Sequence, residues 1–172
     1  TELGQLTNLQ WLFLDSNQLT GSIPAEISQM AKLEYLDVQS NQLELIPDLT
    51  APAKLGDLIV SNNKFSFEDL EYNMDLKPAV NFVYSPQDSI GVNQLFTKNI
   101  AENFSYTLVT GGTNNYQWYK DGNILASQTS ATFTINNLAL VDAGKYYCEV
   151  TNTLVPGLTL TSRKITLSVI DP

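Results

Sequence analysis

Few residues in this 172-residue chain are equipped for covalent chemistry. It has no histidine and one cysteine, Cys148. That removes Ser-His-Asp and Cys-His catalysis, His-ligated zinc and the usual general base near neutral pH. One thiol builds no cysteine-rich metal site, and neither a Gly-rich phosphate loop with its lysine nor EF-hand spacing is present. Carboxylates remain: Asp15, Asp37 and Asp57 recur at offsets of 22 and 20 residues, and paired carboxylates carry acid–base work in glycosidases. Nothing in the sequence supplies a buried partner that would raise the pKa of one of them, so they read as solvated acids on a repeating face. No enzyme activity, cofactor or metal is expected. The remaining chemistry is that of binding. Trp11, Phe13 and Tyr35 interleave with these acids, and aromatics at that density are typical of interface hot spots.

Those residues are positioned by a repeat. Leu9-x-x-Leu12-x-Leu14-x-x-Asn17-x-Leu19 is echoed by Leu33-x-x-Leu36-x-Val38-x-x-Asn41-x-Leu43 and by Leu55-x-x-Leu58-x-Val60-x-x-Asn63-x-Phe65. Offsets of 24 and 22 residues are the signature of a leucine-rich repeat solenoid. Each Leu-x-Leu predicts a short strand with aliphatic side chains inward and the intervening residues on the solvent face. One repeat cannot bury its own apolar face, so neighbours stack. Asn17, Asn41 and Asn63 follow the strands at turns, where their amides can pair with backbone groups otherwise left unsatisfied. The segment Leu19-Thr20-Gly21-Ser22-Ile23-Pro24 resembles the Leu-x-Gly-x-Ile-Pro phrase of plant-type leucine-rich repeats, also used by bacterial surface proteins; the second repeat keeps only Ile46-Pro47.

Thr1-Glu2-Leu3-Gly4-Gln5-Leu6 reads as the tail of an earlier repeat, with Leu3 matching Ile27. A fragment of a longer protein is therefore expected, with an exposed solenoid end able to support oligomers. No signal peptide or transmembrane run is present, which in a fragment excludes neither. At the other end, Val80–Tyr84 predicts a fourth and last strand, 22 residues beyond the Leu58 strand. Ser85 then stands where the asparagine belongs, and Pro86 stops the pattern. Residues 67–72 suggest a short helical turn.

From Ile90 to Val169 short alternating strands alternate with turn signals such as Gly111-Gly112 and Asp121-Gly122, a spacing that suggests an all-β sandwich. Trp118, Leu138, Asp142, Gly144, Tyr146 and Cys148 resemble the core tryptophan, E–F corner and strand F of an immunoglobulin-like domain. Tyr106 occupies the place of the family's first cysteine, so no intrachain disulfide exists, and Cys148 reads as an inert buried hydrophobe. Thr159 through Val169 is expected as the final strand. The fold class is thus mixed and β-dominated. Residues 1–85 form a leucine-rich repeat solenoid of about three repeats plus a closing strand, and residues 86–172 an immunoglobulin-like sandwich.

Residues 1–85 carry 12 acids and 4 bases, and residues 86–172 carry 6 acids and 5 bases. A negative solenoid argues against nucleic acid and anionic membrane surfaces as partners. The absence of disulfide-rich caps and the junction Phe82-x-Tyr84-Ser85-Pro86-Gln87-Asp88 make the chain resemble secreted or surface-anchored bacterial proteins of the Bacteroidetes type. Asp88-Ser89-Ile90 resembles the O-glycosylation motif of that group. Asn103-Phe104-Ser105 is an N-glycosylation sequon by pattern, expected on a strand.

The outward positions of the strands follow from the alternation. They are Trp11, Phe13 and Asp15; Tyr35, Asp37 and Gln39; Asp57, Ile59 and Ser61; and Asn81 and Val83. Trp11, Phe13 and Tyr35 are expected to anchor a ligand, with Asp15 and Asp37 selecting a basic or hydroxyl-rich one, and with Gln39, Asp57 and Ile59 completing the face. The expected function is a non-enzymatic surface or secreted protein-binding or adhesion module. A glycan-binding module using the same face, or a purely structural stalk, remain as alternatives.

Overall fold

The computed structural model describes residues 2–52, 54–76 and 78–171. It divides the chain into two compact units, residues 1–88 with 153–158, and residues 89–152 with 159–172.

The first unit is a solenoid. Strands β1 (Trp11–Phe13), β3 (Tyr35–Asp37), β5 (Asp57–Ile59) and β6 (Asn81–Val83) form one parallel sheet in that order, and β2 (Thr20–Ser22) pairs in parallel with β4 (Gln42–Leu45) in a second. The registers Leu12↔Leu36, Leu36↔Leu58 and Leu58↔Phe82 stack the inward residues in one row. Leu36 and Leu58 are fully buried, as are Leu33, Val60, Phe65 and Leu70; each such side chain contributes about 1.5–3 kcal/mol through removal from water. The expected helical turn is α1 (Phe67–Glu71). It starts there because the Ser66 hydroxyl accepts from Asp69 N–H while Asp69 accepts from Ser66 N–H at 2.8 Å, a reciprocal cap for two orphan donors.

The asparagines perform the backbone work expected of them. Asn41 Nδ2 donates to the carbonyls of Val38 (2.9 Å) and, one repeat back, Leu14 (2.8 Å), while its Oδ1 accepts Leu19 N–H at 3.0 Å. Asn63 repeats this with Val60, Val38 and Leu43. Before each asparagine the chain turns through a left-handed residue, Ser16, Ser40 and Asn62, with φ of 55°, 56° and 54°.

At the last repeat the structure corrects the sequence reading. The register Asp57↔Asn81 gives an offset of 24 rather than 22, and Gln87, not Ser85, fills the asparagine's place. Gln87 Nε2 donates to Val60 O (3.1 Å) and Tyr84 O (2.6 Å), and its Oε1 accepts from Asn63 and Phe65 N–H. The cause is the longer repeat, since the residue 24 beyond Asn63 is Gln87; Pro86, whose ring forbids the left-handed turn used by the earlier repeats, alters the turn just before it. Asn62 N–H then bonds to Pro86 O, one residue beyond Ser85, and the longer glutamine side chain spans the displaced turn.

The second unit is a sandwich. One sheet runs β10 (Asn123–Ile124), β9 (Asn115–Lys120), β12 (Gly144–Thr151), β14 (Ile165–Ile170), β7 (Gln94–Asn99), with β13 (Thr159–Thr161) also on β12; the other pairs β8 (Phe104–Thr107) with β11 (Thr132–Ile135). The β9–β10 hairpin turns on Asp121 and Gly122, with φ of 49° and 85°, the left-handed pair that a tight two-residue hairpin needs. Trp118 stacks on Phe133 at 5.3 Å and donates Nε1–H to Ser130 O at 2.8 Å. Tyr146 lies 4.8 Å from Phe133, and its hydroxyl donates to Asp142 O at 2.5 Å, the tyrosine corner the spacing implied. Cys148 is fully buried opposite Trp118. Half-buried Tyr106 sets its edge against the Trp118 ring at 6.2 Å, so aromatic packing occupies the space of a disulfide.

Two further expectations are corrected. The final strand over 159–169 is broken into β13 and β14. Glu149 pairs with Thr161 but Tyr146 with Ile165, a one-residue slip of register characteristic of a bulge. Ser162 bridges it, its N–H donating to Cys148 O and its Oγ accepting from Cys148 N–H at 2.9 Å. Asn103 precedes β8 rather than lying on it; it is exposed, and its Oδ1 accepts Asn137 N–H at 3.0 Å.

Candidate ligand-binding face

The first sheet carries its inward leucines on one side and the candidate residues on the other. Registration sets Trp11, Tyr35, Asp57 and Asn81 in one row and Phe13, Asp37, Ile59 and Val83 in the next. On β1, Trp11 and Phe13 are 60% and 61% exposed, whereas Leu12 between them points toward the core. The Phe13 ring meets Tyr35 at 4.9 Å with a 34° tilt, so two strands share one aromatic platform. Asp15 and Gln39 lie half-exposed at its side. Asp57 is half-exposed, and its Oδ1 accepts the Asn81 amide at 3.0 Å, which orients the carboxylate on the face. Just before β1 and β3, Gln10 donates to Glu34 at 3.3 Å, a polar contact bordering Trp11 and Tyr35.

Three of the residues expected to be open are covered. Asp37 is 5% and Ile59 9% exposed, and Ser61 is buried as well. A central strand has neighbours on both sides, and Asp37 stands between Phe13 and Ile59. Its carboxylate accepts Gln39 N–H at 3.0 Å and Gln39 Nε2 at 3.2 Å, so both residues are largely occupied with each other. The structure therefore brings Trp11, Phe13, Tyr35, Asp15 and Asp57 together as an accessible group and assigns Asp37 to holding the strand's end.

The electrostatics follow from this clustering. Partial burial, and then the carboxylates of Asp37, Asp57 and Asp15, push the Tyr35 phenol above its ordinary pKa. The platform thus sits in a negative field.

Sequence reasoning missed a second polar aromatic surface, in the sandwich unit. Tyr119 and Tyr147 stack face to face at 4.8 Å and 2°, and Tyr119 donates to Glu149 at 2.8 Å. An open groove of about 620 Å³ beside them is lined by Tyr147, Glu149, Thr161, Arg163 and Lys164, among others. The signal was available in the alternation around Trp118 and Cys148, which turns Tyr119, Tyr147 and Glu149 outward. Among the described residues no group of His, Cys, Asp and Glu is placed to hold a metal, and no helix is long and apolar enough to cross a membrane.

Comparison with known proteins agrees with this architecture. Residues 7–51 match a family model of leucine-rich repeats in two copies, and residues 104–169 match that of the immunoglobulin domain. The chain carries leucine-rich repeats followed by an immunoglobulin-like domain, modules typical of protein binding, and neither matched model describes a catalytic domain. The adenylate cyclase of Schizosaccharomyces pombe (strain 972 / ATCC 24843) is 30% identical over 90 residues, 52% of this chain and 5% of that protein. Among solved structures, the N-terminal four Ig domains of Dscam1 isoform 6.9 are 24% identical over 46% of this chain and 23% of that one, with a TM-score of 0.40. Sidekick-1 immunoglobulin domains 1–5 are 23% identical over 48% of this chain and 19% of that one, at 0.41. Extracellular domains 3–5 of Drosophila OTK are 16% identical over 45% and 33%, at 0.39. The chain thus spans a small part of each relative.

Proposed function

We propose that this chain is a non-enzymatic protein-binding or adhesion module, exported or displayed at a bacterial cell surface, that engages its partner through the outward face of the solenoid sheet. The observation that carries the reading is the shared platform of Trp11, Phe13 and Tyr35, with two rings about 60% exposed on a three-residue strand. Apolar surface of that kind costs free energy in water and is regained on docking. Cys148 is buried and unbridged, so the sandwich rests on aromatic packing and hydrogen bonds and needs no disulfide wherever it works. The domain boundary belongs to the same reading, with the solenoid ending near residue 85 and the immunoglobulin-like module running from 86 to 172.

The test is capture of host surface proteins by the intact chain and by a Trp11→Ala, Tyr35→Ala double variant. Loss of the captured partner supports the reading; capture undiminished in the folded variant sinks it. A glycan ligand is the second reading, favoured by ring faces lying beside the oriented acceptors Asp57 and Asn81. A glycan array probed with the same two proteins separates it, because only a sugar-binding face gives hits there that the double variant loses. A structural stalk, or a solenoid end used for oligomers, gives neither.

A further inference from the structure

The aromatic platform is apolar, but its surroundings are charged in one sense only. The outward strand positions from Trp11 to Val83 carry the three carboxylates Asp15, Asp37 and Asp57 and no base. Burial first, and then these three carboxylates, hold the Tyr35 phenol above its ordinary pKa. An exposed ring face attracts a cation through its quadrupole, and indole does so best among the aromatic side chains. Carboxylates beside the ring strengthen that preference and repel anions. A neutral sugar stacked on the same rings uses the carboxylates only as hydrogen-bond acceptors and gains no net charge attraction from them.

We infer that Trp11, Phe13 and Tyr35, flanked by Asp15 and Asp57, take a basic side chain, arginine before lysine, from an extended segment of the partner protein. This rests on the outward face being the protein-binding surface. Arginine fits better because its planar guanidinium lies flat on a ring while its N–H edge donates to carboxylates. Asp57 is held in place for such a contact by Asn81, whereas Asp37, closed off by Gln39, contributes field and no direct contact. The solenoid's acid excess over residues 1–85, 12 acids to 4 bases, supplies the longer-range complementarity.

The probe is the pentapeptide acetyl-Gly-Arg-Gly-Arg-Gly-amide, titrated into the intact chain beside its isostere with citrulline at both arginines. Tryptophan fluorescence reports the site, because Trp11 is exposed and the other tryptophan, Trp118, is fully buried in the sandwich. The arginine peptide is expected to perturb Trp11 saturably, and the citrulline peptide to bind about tenfold more weakly, the equivalent of one modest charged contact. Raising salt from about 0.05 to 0.5 M should erase most of that difference. An Asp15→Asn, Asp57→Asn variant should lose most of the preference for the arginine peptide. Equal binding of the two peptides by the unaltered chain, or no response to either, overturns the inference without any variant needing to fold. In that event, loss of protein capture by the Trp11→Ala, Tyr35→Ala variant leaves the outward-face reading standing alone, and retained capture removes both.

Discussion

Gln87 Oε1 accepts the backbone N–H of Asn63 at 3.1 Å across 24 residues, so a glutamine terminates a ladder otherwise built from asparagines. The relationship makes the last turn of the solenoid depend on a side chain outside the repeat's own phrase. Gln87→Ala leaves the Asn63 and Phe65 N–H groups without their side-chain acceptor, while the Val60 carbonyl keeps the Asn63 amide, and Asn63 and Phe65 are both fully buried. Unpaired buried groups cost about 1–3 kcal/mol each at most sites. The expected result is a drop in solenoid stability of that order and amide exchange at Asn63 and Phe65 at least about tenfold faster. Gln87→Glu should fall between, since it keeps the acceptor and loses the donor. Unchanged exchange at both amides would refute the role.

Cys148 and Tyr146 give the sandwich an alkaline limit. Burial, with a smaller push from Glu149, raises the Cys148 thiol to about 12 from an ordinary 9.0, against a lowering hydrogen bond from the Gln117 backbone. Burial, and then Asp142 and Asp121, raise the Tyr146 phenol to about 12 from 10.0. Both groups stay protonated in the fold while the unfolded chain ionises. Their contribution is therefore complete below the unfolded pKa values and is lost as pH climbs through the folded ones. The urea midpoint should be level up to about pH 8.5 and then decline, by at most about 1.4 kcal/mol per pH unit for each group. Cys148→Ala should delay the onset by about one pH unit, because the phenol then ionises first in the unfolded chain. Iodoacetamide at pH 8 should leave the folded protein unmodified and label it on unfolding. Rapid labelling of the native state would contradict the burial argument.

Which parts of this were legible in the sequence follows from what each depends on. The faces of the solenoid strands were legible because alternation has a period of two, so an offset of 22 or 24 leaves Asn81 and Val83 outward either way. The identity of the ladder's last rung was not, because the last repeat is two residues longer than the one before it and only the strand register reveals that. The Ser162 bulge had a signal that went unread: buried positions are even-numbered at Leu158, Leu160 and Ser162 and odd-numbered at Ile165, Leu167 and Val169, and a change of parity means an inserted residue. The closure of Asp37 lay beyond the sequence because it depends on Phe13 and Ile59, contributed by other repeats.

Gly144 has a reason to be glycine that concerns space rather than backbone freedom. A Cβ there would approach Asp121 Oδ2 to 2.6 Å and Lys120 Cε to 2.7 Å. Lys120 is a flexible chain and can yield. Asp121 is less free, because its Oδ1 accepts Lys145 N–H at 2.9 Å and its own N–H donates to Lys145 O. Gly144→Ala should therefore cost about 1–2 kcal/mol, the hydrogen bond plus local displacement. Asp121→Ala in the same background should recover part of the loss by removing the clash, a coupling that a double-mutant cycle in urea reads directly. Additive effects would place the strain elsewhere.

Asp15 and Asp37 look alike in sequence, each two residues past an aromatic, Phe13 and Tyr35, yet their surroundings assign them different work. Asp37 is 5% exposed and accepts two hydrogen bonds from Gln39. Removing its carboxylate leaves the Gln39 N–H short of a partner inside a packed row, a loss felt by the fold. Asp15 is half-exposed beside the platform, where its charge is offered to solvent and ligand. Asp37→Ala is accordingly expected to lower solenoid stability by about 1–3 kcal/mol while leaving the preference for the arginine peptide over its citrulline isostere largely intact under native conditions. Asp15→Asn should do the reverse, with stability within about 0.5 kcal/mol of the parent and a reduced charge preference. Melting curves and Trp11 titrations on the same two samples check both halves at once. An exchange of the two phenotypes would mean that Asp37 opens to the ligand and that the row formed by Phe13, Asp37 and Ile59 rearranges on binding.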